Sequence, residues 1–197
     1  DMEAAAPTLL LQRATQIDPL AKLEHLEHYV NNRSQVRKQI AKSCEISEDK
    51  VKLVINSLLQ GGHLTSYKHS LMFSQLNYDY DSIKRLKANE IICGLKDDIK
   101  CLWGVLRGEF PVRYLTDKNE KQRRVRINAK EKSGYYRSLE KQVGDVIRKT
   151  LKKEKITYLW LHDGWSCDKV IDPSLIVTKV RQQTGFVIKL EWTKYED

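Results

Sequence analysis

In most stretches of this chain apolar residues fall on one face of a helix, recurring at intervals of three and four, which predicts a helix-rich molecule. Pro7 suits the first turn of a helix, and the leucine run behind it continues that helix. Asp18-Pro19 predicts a cap and a first helical residue, with Leu20, Leu23, Leu26 and Val30 on one face. Ser34 predicts the cap of a helix that turns Val36, Ile40 and Ala41 to the core. Ser47, with Glu48 and Asp49 in the first turn, starts another; its apolar stripe is Val51, Val54, Ile55, Leu58 and Leu59, and Gly61-Gly62 ends it. Residues 63–81 are poorly periodic. Ser82 then predicts the cap of a long core helix carrying Ile83, Leu86, Ile91, Ile92, Leu95, Ile99, Leu102 and Trp103, ending near Gly108.

Beyond Gly108 the pattern changes. Residues 110–115 and 123–127 read as short extended runs around a charged turn. Residues 136–151 form an amphipathic helix, with Leu139, Val143, Val146, Ile147 and Leu151 inward and Arg137, Lys141, Arg148 and Lys149 outward. The apolar run Tyr158-Leu159-Trp160-Leu161 leads into His162-Asp163-Gly164, and a second extended run follows over 166–170. Residues 157–170 therefore predict a hairpin holding the Asp163 carboxylate at its tip. Asp172-Pro173 caps a helix over 174–183, Gly185 stops it, and 186–192 predicts a closing strand. The expected class is α+β: helix-rich, with a small antiparallel sheet made of the hairpin and strand 186–192.

At 197 residues, 41% hydrophobic and 31% charged, the chain can bury one sizeable core or two small ones, and it is globular and not disordered. No apolar run approaches the roughly 18 residues that span a bilayer, and no stretch reads as a secretory leader. The four cysteines are scattered and form no C-x-x-C pair, which disfavours a zinc site or a disulfide framework and points to an intracellular setting. His25 and His28 share a helical face, but Glu24 and Glu27 flank them and no third ligand is in sight, so they read as a surface pair.

The net charge is +9, and its placement matters more than its size. Residues 111–155 hold fifteen Lys and Arg against six Asp and Glu, so this segment carries the whole excess. Arg113, Arg123, Arg124, Arg126, Lys130 and Lys132 are its candidate phosphate contacts, with Arg123, Arg124 and Arg126 the densest cluster. Tyr114, Tyr135 and Tyr136 stand among them as surfaces for sugars or bases.

Three short motifs carry a family resemblance. Lys52, three residues, then Asn56-Ser57 resembles one form of the fingers helix of DNA and RNA polymerases. Lys52, seven residues, then Gln60-Gly61 resembles the other form, with Gln60 where Tyr is usual. Asp1, five residues, then Pro7-Thr8-Leu9 is similar to the first metal-binding motif of palm polymerases, with Ala6 where a bulky Tyr excludes a ribose 2′-hydroxyl. His162-Asp163 resembles the second catalytic motif. The chain thus resembles palm-domain single-subunit nucleic-acid polymerases, with mixed features of the bacterial repair DNA polymerase and phage RNA polymerase families.

The resemblance implies a palm-like sheet, with a palm-like start over 1–30, a helical fingers-like region over 31–108, and a basic hairpin, helix and palm-like region over 109–197. It implies template-directed nucleotidyl transfer with two magnesium ions held by Asp1 and Asp163, and His162 at the primer terminus. Lys52 would meet the triphosphate, with Asn56, Gln60 and Ala6 around the nucleotide. Its partners would be a template-primer and nucleoside triphosphates, in cytoplasm or nucleoid, with a virus or mobile element among the sources allowed. An aspartate of the first motif at position 1 implies a C-terminal fragment of a longer polymerase.

A rival resemblance uses the same stretch. Two short helices joined through Cys44-Glu45-Ile46-Ser47 and followed by Gly62-His63-Leu64 resemble a winged helix-turn-helix. That implies a regulator or replication-initiation protein without catalysis, in which Lys50 and Lys52 contact DNA and Asp1 and Asp163 are dispensable.

Overall fold

The computed structural model describes residues 5–116, 122–160 and 164–191; the side chain of Arg123 lies outside this description. Among the described residues the elements run α1 (Ala5–Ile17), α2 (Glu24–Asn31), α3 (Arg33–Cys44), α4 (Glu48–Leu59), α5 (Leu71–Gln75), α6 (Tyr80–Ala88) and α7 (Glu90–Val105), the last continued by a 3-10 turn (Leu106–Glu109). After them come β1 (Tyr114–Thr116), β2 (Gln122–Arg124), α8 (Ala129–Lys153), β3 (Tyr158–Trp160), β4 (Trp165–Cys167) and α9 (Pro173–Thr184). The fold is helix-rich α+β. Its strands form two separate antiparallel pairs, Tyr114 opposite Arg124 in β1–β2 and Trp160 opposite Trp165 in β3–β4. No helix among the described residues is long and apolar enough to cross a membrane.

Side-chain chemistry sets several boundaries where expected. Ser47 accepts the N–H of Lys50 at 3.3 Å to start α4, Asp172 accepts that of Ser174 at 2.9 Å ahead of Pro173, and Gly185 ends α9 at φ 75°. Other boundaries differ. The helix expected over Ser82 to Gly108 divides at Asn89, whose side chain accepts the Ile92 N–H at 3.0 Å and opens α7. Asp79, not Ser82, caps α6; the buried Ser82 hydroxyl instead donates to Asp79 at 2.5 Å. Ser34 lies inside α3 and caps nothing; Asn32 precedes the helix without a side-chain capping bond to it. The helix expected over 136–151 begins at Ala129, because Asn128 and Glu131 form a reciprocal capping box.

The helix expected from Pro19 starts five residues later, at Glu24. Asp18 spends its carboxylate on the N–H of Leu20, at 3.0 Å, and holds a turn there. Leu20 is consequently 88% exposed, and Tyr29 takes the buried position expected of Val30. The late start leaves α2 with no cap of its own. Asp98 of α7 supplies one across space, accepting the Leu26 N–H at 2.8 Å while buried. His25 Nδ1 stands 3.6 Å from the same carboxylate, and a Cβ at Gly94 would collide with the His25 ring. Glycine is what lets α2 and α7 approach this closely.

The predicted strand 186–192 is not formed: 186–189 is irregular, Leu190 is an isolated bridge residue, and Trp192 lies outside the described residues. The physical reason is at Val187. Its N–H donates to Gln12 Oε1 at 2.8 Å and its carbonyl accepts from Gln12 Nε2 at 2.7 Å, so a side-chain amide of α1 takes the place of a strand partner. Gln16 adds a bond to the Gly185 carbonyl at 3.3 Å.

The core is one cluster that includes Leu9, Leu10, Leu26, Tyr29, Ile55, Leu59, Ile92, Leu102, Ile147 and Phe186. Helix α1 sits centrally in it, packing against α2, α4, α7 and α8, and α9 lies along α8.

Candidate functional site

The described elements nearest the three motifs are linked pairwise: α4 packs on α1, α1 packs on α8, and Trp160 of β3 packs on Arg148 of α8. Ala6 is half-buried in the first turn of α1, directly after the segment that holds Asp1. Lys52 is exposed on α4, and Asn56 and Gln60 lie half-buried farther along that helix. Strands β3 and β4 frame the segment that contains His162 and Asp163. Asp1, His162 and Asp163 themselves lie outside the described residues.

The β3–β4 hairpin is seated on α8 by an aromatic and cationic stack. Trp160 and Trp165, paired across the strands, stack with centroids 5.8 Å apart and planes 12° off parallel. The Arg148 guanidinium lies 4.5 Å from the Trp160 ring centre. One turn earlier, Gly144 leaves room for the same indole; a Cβ there would meet it at 3.3 Å. Arg148 also bonds Asp145, and this bond holds the Asp145 carboxyl below its ordinary range. Sequence reasoning assigned Arg148 to the outward face and missed this stack. The readable signal was a Gly and an Arg four residues apart on a helix preceding a Trp-rich strand.

The basic segment divides in two. Arg124, Arg126 and Lys130 are exposed, and among the described residues no ion pair engages them. Arg113 is exposed but forms an ion pair with Glu131. Lys132 is half-buried, its ammonium 5.1 Å from the Trp103 ring centre and its stem across Gly61 at the end of α4; burial lowers its pKa. Trp103 in turn donates to the Leu59 carbonyl at 2.9 Å. Lys132 thus ties the start of α8 to the end of α4.

Of the tyrosines, Tyr114 is exposed, whereas Tyr135 packs against Phe110 and Trp103 and donates to Glu109 at 3.1 Å. His25 faces Asp98, and His28 Nδ1 lies 3.2 Å from Asn32 Nδ2. Among the described residues no three His, Cys, Asp or Glu side chains converge.

Glu109 also receives Arg13 of α1 at 2.8 Å, chiefly by a hydrogen bond that holds its carboxyl below the ordinary value of 4.5. A depressed folded pKa means stability that is complete above the unfolded value and lost as pH falls through the folded one. The stability advantage of the parent over Glu109→Gln is therefore expected to shrink as pH drops below about 4.5. Thermal midpoints of both proteins measured from neutral pH downward check this; a constant difference would deny the link. Both side chains are about a third exposed, so the advantage is modest.

No family model, no curated protein and no solved structure matches the chain. Its function has to be sought in its own residues.

Proposed function

We propose that the chain is a palm-and-fingers portion of a template-directed nucleotidyltransferase. The observation that carries this is the β3–β4 hairpin: two antiparallel strands, anchored on α8, with Leu161, His162, Asp163 and Gly164 as the sequence between the paired Trp160 and Trp165. A paired strand on either side of the segment that holds Asp163 suits a carboxylate that must be held in fixed geometry. Further support comes from α4, which exposes Lys52 as a charge partner for a triphosphate, and from its packing against α1, the helix that follows Asp1.

In this proposal Asp1 and Asp163 hold two magnesium ions; carboxylate oxygens are the hard donors that this cation prefers. When bound, such a metal pair makes the attacking hydroxyl more acidic and steadies the leaving pyrophosphate. His162 positions the primer end, Lys52 neutralises charge on the triphosphate, and Arg124, Arg126 and Lys130 hold the duplex backbone. The test is incorporation of labelled nucleotide on a primed template. Incorporation that requires magnesium and stops with chelator supports the proposal; duplex binding without incorporation, indifferent to metal, overturns it.

A second proposal, a DNA-binding regulator or replication-initiation protein, draws on the α3–α4 unit with its tight connection through Glu45, which adopts a left-handed φ of 54°. Against it, residues 60–70 contain no strand that would serve as a wing, and the first turn of α4 exposes Glu48 and Asp49, which repel phosphate.

A further inference from the structure

Helix α3 carries Arg33, Arg37, Lys38 and Lys42 and no acidic residue, a concentration hidden by the chain-wide charge count because its neighbours are acidic. The four cations have different fates. Arg33 bonds Glu191 at 2.7 Å, and Arg37 donates to the Tyr29 hydroxyl at 2.9 Å, its guanidinium 5.7 Å from that ring centre. Lys38 and Lys42 are exposed, and among the described residues no ion pair engages either. The carboxylate best placed along the chain, Glu45, lies with Arg85 at 3.4 Å.

Like charges four residues apart on a helix repel and destabilise it. Here they sit one turn apart, about 6 Å along the axis. They share one face of α3 with Ser34, Gln35 and Gln39. Every side chain of that face offers a hydrogen-bond donor, and none is a carboxylate. A stripe of two ammonium groups interleaved with hydroxyl and amide donors complements a chain of regularly spaced anionic oxygens that also accept neutral hydrogen bonds.

We propose that this face of α3 binds the phosphate backbone of a nucleic-acid strand, as a site separate from the basic hairpin and α8. It rests on the nucleic-acid side of the function proposed above and extends the contact to the opposite half of the sequence. Each phosphate neutralised releases condensed counterions, so the site leaves a signature in the salt dependence of binding.

The experiment measures fluorescence anisotropy of labelled single-stranded and duplex oligonucleotides over a salt series. It uses the parent, K38Q/K42Q, R124Q/R126Q, and K96Q/K100Q as a control with the same charge change on another exposed helix face. K38Q/K42Q is expected to weaken binding and to flatten the plot of log affinity against log salt by about 1.4 to 1.8. K96Q/K100Q should leave the slope at the parent value. Equal flattening in K38Q/K42Q and K96Q/K100Q would reduce the effect to net charge and overturn the site. A parent slope in K38Q/K42Q alongside a reduced slope in R124Q/R126Q would also overturn it while leaving the nucleic-acid function standing. No binding by the parent would overturn both.

Discussion

Asp163→Asn is expected to lower magnesium-dependent nucleotide incorporation by about a thousandfold or more while leaving duplex binding intact. The substitution preserves size and one oxygen but removes the negative charge, and a neutral amide is a poor ligand for a strongly hydrated divalent cation. Metal stabilisation of transition-state charge is worth several kcal/mol. At 1.36 kcal/mol per tenfold in rate, about 4 kcal/mol is about a thousandfold. In the proposed arrangement duplex binding would draw on the exposed Arg124, Arg126 and Lys130, which the change does not touch. Single-turnover incorporation and oligonucleotide anisotropy on the same preparation separate the two effects. Parental incorporation in the variant would remove Asp163 from the chemistry, and a parallel loss of binding would make its role structural.

Leu9→Ala is the substitution expected to cost most stability, about 2–5 kcal/mol. Leu9 is wholly buried on α1, the helix that packs against α2, α4, α7 and α8, so a cavity there is bounded by several elements that cannot all relax into it. Against a typical total of about 5–15 kcal/mol, this is a large fraction. With a urea dependence of about 1–3 kcal/mol per molar, the unfolding midpoint should fall by about a molar or more. Leu20→Ala is the matched control: the same truncation at an 88% exposed site should change stability by less than about 0.5 kcal/mol. Equal effects at both positions would contradict the central placement of α1.

Helix content and most core positions were legible because burial at a period of 3.6 leaves a strong trace. The stripe Val51, Val54, Ile55, Leu58 and Leu59 is buried as expected. Boundaries set by a residue's own cap, such as Ser47 and Asp172, were legible too. What failed was any boundary decided across space. Nothing near Leu23 announces a helix start at Glu24, because the cap arrives from Asp98, seventy-two residues beyond the Leu26 N–H it accepts. Periodicity also runs straight through Asn89, although the side chain there breaks one predicted helix into two. The strand over 186–192 had the right alternation but lost its backbone partner to Gln12, a choice no local pattern encodes. The hairpin at 157–170 was legible from its aromatic run, while its anchorage on Arg148 and Gly144 was not, since that face of α8 looked like solvent. The α3 cations escaped notice because a segment-wide charge sum averages them with Glu24, Glu27, Glu45, Glu48 and Asp49.

The pair of hydrogen bonds between Gln12 and Val187 has a temporal consequence. The two residues are 175 positions apart, so on a ribosome adding about 5–20 residues each second, roughly 10 to 35 s separate the synthesis of one from the other. For that interval the first helix emerges with its glutamine unclaimed and its leucines awaiting α8. This clasp between α1 and the segment after α9 cannot close until residue 187 has been made.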